Sequence, residues 1–153
     1  MRCRGGYMKA QLTGTAELKK ALAEFGINAD RQLMAIVQGT AQNVRTHAIK
    51  SIQRGTKSGV EYTKYKPSRK HRASARGEAP ATDTGRLAGS IQASIEGKTA
   101  EVFTNIEYAA WLEFGTLNME PRPFLFPALE KERPKWDARL NRIVEQAAKG
   151  ILK

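Results

Sequence analysis

What this 153-residue chain has little of narrows its chemistry first. It holds a single cysteine, Cys3, so it forms no internal disulfide and offers a metal no second thiolate. Cys3 reads as an incidental thiol in a loose N-terminal stretch over residues 1–11, with Met1 and Met8 both candidate starts. The opening MRCRGGYMKAQ lacks the apolar core of a signal peptide. No apolar run approaches the roughly 18 residues that a membrane-spanning helix needs. Histidine occurs twice, as His47 and His71, and neither has partner residues at metal-ligand spacing. A nucleophile needs a base within hydrogen-bond reach. Glu113 and Glu130 make no convincing acid–base pair without a pocket. A small hydrolase using His71 or Glu113 has no substrate to recommend it. No catalytic, metal-binding or cofactor-binding residue is therefore assigned, and no cofactor is expected.

Acidic residues are the next shortage: 15 against 26 lysines and arginines, for a net charge of +11. The excess is local. Arg54, Lys57, Lys64, Lys66, Arg69, Lys70, Arg72 and Arg76 fall in one segment against Glu61 alone, so that segment carries +7. Three readings fit: a solvated loop, an arm docking on an acidic neighbour, or phosphate contact with Tyr62 and Tyr65 as stacking platforms. No recognised nucleic-acid-binding motif accompanies the charge.

At this length a single domain over residues 1–153 is expected, large enough to bury a core without staples. Leu18, Leu22 and Phe25 share one face of a short helix, with Thr15 as N-cap and Gly26 as stop. Leu33, Val37, Ala41, Val44, Ala48 and Ile52 step by three or four through a long amphipathic helix that ends near Gly55. Gly39 within it is placed for close packing, and His47 for a half-exposed position. Residues 60–65 alternate as a strand or hairpin arm, and residues 67–80 read as a long basic loop within a basic segment over 55–84. Gly77 and Pro80 bracket the turn that brings the chain back. Thr84 caps a turn of helix begun at Gly85, with Leu87 inward. Ile91, Ala93 and Ile95 line one face of a strand that returns through Gly97-Lys98 to Val102, a β-hairpin by pattern. Asn105 is the candidate cap for a helix entered at Tyr108.

Residues 108–129 hold the densest run of aromatics and prolines: Tyr108, Trp111, Phe114, Phe124 and Phe126, with Pro121, Pro123 and Pro127. Large aromatics mark either a core or an interface anchor. Core is the expectation for Trp111, Phe114, Phe124 and Leu125. Gly115 is placed to close the helix in the left-handed conformation, and a new helix can begin at Pro123. Arg122, stiffened between prolines, suits a bidentate pair with Glu113 or with an acid on another subunit. Trp136, Leu140, Ile143, Val144, Ala147 and Ile151 continue at helical spacing. Pro134 either kinks one long helix or opens a second.

Tyr-Ala-x-Trp-Leu-Glu-Phe-Gly-Thr from Tyr108, then Met-x-Pro-Arg-Pro-Phe-Leu-x-Pro-Ala-Leu from Met119, resembles the head–tail joining (tail-completion) family of long-tailed bacteriophages. Ala-Ser-Ala-Arg-Gly-Glu-Ala-Pro-Ala from Ala73 and Asp-Thr-Gly-Arg-Leu-Ala-Gly-Ser-Ile from Asp83 reinforce it. The first 70 residues match in character alone. The resemblance implies a structural protein of the phage neck or tail top, placed in the virion after assembly in the host cytoplasm. It implies a ring of copies around the genome channel. Its partners would be copies of itself and head-closure, tail-terminator or tail-tube proteins. Genome DNA would pass nearby without specific binding, and no membrane is involved.

The fold expected is α+β: amphipathic N- and C-terminal helices packed on a small antiparallel sheet, with a long basic loop or arm. The alternative function is a basic nucleic-acid-binding module, whose binding would fall log-linearly with salt.

Overall fold

The computed structural model describes residues 8–12, 28–65 and 68–151. The expected helix around Leu18, Leu22 and Phe25, and Cys3, lie outside the described residues.

Helix α1 (Asn28–Arg54) forms because its apolar side chains return to one face every three or four residues. Leu33, Val37, Ala41, Val44, Ala48 and Ile52 are all buried. Each large side chain on that stripe contributes roughly 1.5–3 kcal/mol of burial. Gly39 packs against nothing: a Cβ there would meet open space. Its place in the helix is therefore not explained by close approach.

The stripe of α1 lies chiefly against helix α4 (Leu125–Ile151), and also against strands β4 (Gln92–Glu96) and β5 (Thr99–Thr104). Helix α4 runs through Pro134, which is exposed, so of the two expected outcomes the single long helix is the one observed. Proline loses the N–H that would bond one turn back and its ring crowds the carbonyl there, and packing of the buried face outweighs both costs. Leu125, Ala128, Trp136 and Ile143 form this face, with Glu132 buried among them.

Strands β4 and β5 are the expected hairpin, paired from Gln92↔Phe103 to Glu96↔Thr99. Gly97 turns it with a φ of 58°, a left-handed value that favours glycine. Along β5 the burial alternates, with Ala100, Val102 and Thr104 inward. Strand β1 (Met8–Leu12) pairs with the other side of β5, giving the order β1-β5-β4. Residues 8–11 of the stretch expected to be loose are therefore strand. Met8, Ala10 and Leu12 alternate with Lys9 and Gln11, and an open β5 edge offers the backbone partners that make such a segment a strand.

A two-stranded sheet stands beside this body: β2 (Glu61–Tyr65) pairs antiparallel with β3 (Ser68–Arg72). Five of the fourteen residues of the expected basic loop are thus a strand. The loop reading rested on absent apolar residues. Cross-strand pairing substitutes for them, with Tyr62 opposite His71 in edge-to-face contact and Glu61 opposite Arg72.

Short helix α2 (Arg86–Ser90) follows Gly85, whose φ is 77°, with Leu87 and Ala88 buried and Ile91 just beyond. Thr84 assists from one position earlier, its hydroxyl accepting from Arg86 N at 3.4 Å. Helix α3 (Glu107–Phe114) begins after Ile106 rather than from an Asn105 cap. Thr104 Oγ1 accepts from Ile106 N instead and also bonds Ser90 Oγ at 2.6 Å.

A candidate assembly interface

Three parts meet where α3 hands over to α4. The first is a carboxylate. Glu113 is buried, and its two oxygens accept from three consecutive backbone amides: Phe124 N at 2.8 Å, Leu125 N at 3.1 Å and Phe126 N at 2.7 Å. The first amides of a helix have no intrahelical partner, and the dipole there favours negative charge. Glu113 therefore caps α4 from another helix. The expected Glu113–Arg122 pair is not formed, because the helix end takes both oxygens.

The second part is a tight turn. Gly115 N donates to Trp111 O at 2.8 Å, and the glycine adopts φ 77° with ψ −179°. This is not the left-handed helical cap expected from the sequence; it is a region open essentially to glycine alone. A Cβ there would stand 2.7 Å from Met119 O and 3.0 Å from Pro121 N. Thr116 and Met119 bridge the turn, and Arg122 N donates to Leu112 O at 2.7 Å. Gly77 N, at φ 75°, donates to Pro121 O and ties the turn to the returning basic segment. We expect Gly115→Ala to lower stability by about 2–4 kcal/mol through strain and collision together, read as a drop in unfolding midpoint.

The third part is an apolar corner on this frame. Trp111 is 57% exposed, Phe114 66%, Phe126 59%, and Leu117 is completely exposed. Phe124 and Leu125 are buried as expected; Trp111 and Phe114 are not. Glu113 turns inward to hold α4, so Trp111 and Phe114 cannot share its side of a two-turn helix. Tyr108, Pro121 and Pro123 are half-buried, and Pro80 is buried.

The hairpin supplies a second surface of different chemistry. Val60, Tyr62 and Tyr65 are exposed on it. Its cations are partly engaged: Glu61 takes Lys70 at 3.4 Å and Arg72 at 3.2 Å, and Lys64 pairs with Asp83. Lys70 first, and then Arg72, hold the Glu61 carboxyl below its ordinary range. Arg76 meets Glu120 at 3.4 Å, and Lys57 Nζ donates to Gln53 O. Arg54 is exposed at the end of α1. Lys66, and the side chain of Arg69, lie outside the described residues. At the hairpin base, Glu78 accepts from the Ser58 hydroxyl and amide and from Ala75 N, and those bonds depress its pKa in that order. Gly59 completes the base: its N donates to Ala73 O, and a Cβ would fall 2.8 Å from the oxygens of Ala73 and Ser74.

No sequence motif assigns a role to Glu132, Asn43 or Leu117, and Ser74 and Glu78 stand out only as members of the Ala73–Ala81 motif. One signal was available for Glu132: it stands at the spacing of Ala128 and Trp136, on the apolar stripe. Among the described residues no group of three or more metal-ligating side chains converges, and no helix is long and apolar enough to cross a membrane.

The model of the HK97-gp10-like family, bacteriophage HK97-gp10 tail components, matches residues 16–115, from ahead of α1 to the glycine that closes α3. No curated protein and no solved structure matches the chain.

Proposed function

The chain belongs to the HK97-gp10-like family of bacteriophage tail components, and from that footing we propose that it acts at the neck or tail top, as one of a ring of copies joining tail to head around the genome channel. As a tail component it is a structural protein of the virion. The finer placement rests on one observation: four large apolar side chains, Trp111, Phe114, Leu117 and Phe126, are held out to solvent on a rigid frame. A monomer gains nothing from that exposure, whereas aromatic anchors on a fixed backbone supply most of the energy of an interface.

A closed ring needs two different patches on each copy, one meeting the other on the next. The apolar corner is one. The hairpin carrying Tyr62, Tyr65, Lys70 and Arg72 is the other, and it reaches other virion proteins as well as copies of the chain. A nucleic-acid role fits less well. Glu61 and Asp83 already engage three of the hairpin's cations, and a channel that gripped the genome would slow its passage.

Joint replacement of Trp111 and Phe114 by serine should leave the free chain folded, with stability changed by about 0.5 kcal/mol or less. Loss of two anchors worth about 2 kcal/mol each lowers the association constant roughly 10³-fold. Electron microscopy of particles carrying the variant should then show DNA-filled heads and separate tails. Joined, infectious particles would refute the proposal.

A further inference from the structure

A groove of about 630 Å3 lies between the C-terminal end of α1, the first turns of α4 and the returning segment 77–79. Its floor is apolar and within reach of solvent: Ala79 and Pro123 are half-buried and Pro127 is exposed. Phe124 also lines it but is 1% exposed, so its ring offers no open face. The rim is cationic. Lys50, Arg54 and Lys131 stand exposed on it, and among the described residues none of the three has an ion pair. Glu78 is the acid of the lining, and its two oxygens are taken by Ser58 and Ala75 at the hairpin base. His47, also in the lining, bonds Glu132. Three hairpin cations are met by the chain's own Glu61 and Asp83, whereas the three on this rim are met by none.

We propose that this groove docks an acidic segment of a different virion protein, whose apolar side chains cover Ala79, Pro123 and Pro127 while its carboxylates meet Lys50, Arg54 and Lys131. Complementary charge carries the choice of occupant, and all three cations are open to it. A second copy fits less well, because each copy carries +11 and two such chains repel as they approach. Nucleic acid would use the cations but leave the apolar floor uncovered, and the groove exposes no aromatic ring on which a base could stack. The assignment needs the chain to be a tail component, as its family makes it, and does not need the ring.

The test is zero-length carbodiimide cross-linking of assembled particles, which joins a lysine amine to a carboxylate only where the two touch. Mass spectrometry should find Lys50 or Lys131 joined to an aspartate or glutamate of a different virion protein, in a segment that also carries apolar residues. Lys50→Arg with Lys131→Arg should keep the charge and the assembly but abolish the links, since a guanidinium does not couple. Lys50→Glu with Lys131→Glu should lower incorporation of the chain into particles roughly tenfold or more, because like charges then meet across the groove. Both lysines are exposed and without ion pairs among the described residues, so the free double-Glu variant should melt with wild type, and incorporation then reads docking and not folding. The proposal is overturned if the links run only to a second copy, if neither lysine forms an intermolecular link, or if the double-Glu variant is incorporated normally. A gel shift of duplex DNA at physiological salt that the double-Glu variant loses would assign the rim to phosphate and overturn it as well.

Discussion

Glu113→Ala is expected to destabilise the chain by about 3–5 kcal/mol, a large share of the roughly 5–15 kcal/mol by which a domain is stable. The carboxylate is the acceptor for three amides at the start of α4, and two of them, at Phe124 and Leu125, belong to buried residues. Alanine leaves those two donors enclosed without an acceptor, at about 1–3 kcal/mol each. It also removes the negative charge at the helix N-terminus, worth about 0.3–1 kcal/mol and up to about 2 where partly buried. Phe126 is exposed, so water can replace its bond and that term is small. Glu113→Gln should fall between, keeping one acceptor oxygen but turning amide hydrogens toward amide hydrogens. Urea unfolding at unchanged slope would measure the loss. A change below about 1 kcal/mol would mean that the cap does not hold α4. The same variant should impair assembly, because Glu113 fixes the angle between the helices that carry Trp111 and Phe126.

Glu132 gives the second large effect, with an opposite outcome for two substitutions at one position. Its carboxylate is fully buried between α1 and α4, bonded to Asn43 at 3.2 Å, His47 at 3.0 Å and Lys135 at 2.6 Å. Glu132→Ala leaves a hole and unpairs three groups, for about 2–4 kcal/mol; Lys135 and His47 reach solvent and moderate the cost. Glu132→Leu fills the hole, completes the apolar stripe, and should cost little or stabilise the chain, as replacements of buried ionic groups by packed hydrophobes often do.

Acid provides a check on this residue. Burial alone would raise its pKa, but hydrogen bonds from Lys135 and Asn43 and the charges of Lys135 and His47 outweigh burial and lower it below the ordinary value of 4.5. A carboxyl depressed on folding stabilises fully above its unfolded value, and that contribution is lost as pH falls through the lower, folded value. Wild type should therefore lose stability below about pH 4.5 more steeply than Glu132→Leu. Parallel acid limbs would show that the ion group contributes nothing.

The helices and the central hairpin were legible because their signals are periodic and local. Leu33 through Ile52 declare a helix face, and Ile91, Ala93, Ile95 and Val102 declare a strand pair, whatever they pack on. Strand β3 was not legible. Ser68, Lys70 and Arg72 carry no apolar alternation, and their strand exists through pairing with β2. The aromatic stretch stood out as the organising segment, but its division into core and surface did not. Trp111 and Phe114 read like Phe124 by composition, and the difference arises from which side of α3 Glu113 must occupy to reach α4.

The amino-acid order by itself determined the α+β class, the long helices, the local basic charge and the family, since each is written in short-range spacing or contiguous motifs. Tertiary structure alone decided that Glu113 caps α4 instead of pairing with Arg122, that Glu132 joins α1 to α4, and that a hydrophobic corner faces outward. Those outcomes depend on groups 11 or more residues apart meeting in space. A buried carboxylate goes to whichever donors the fold leaves unpaired, and sequence spacing carries no record of which those are.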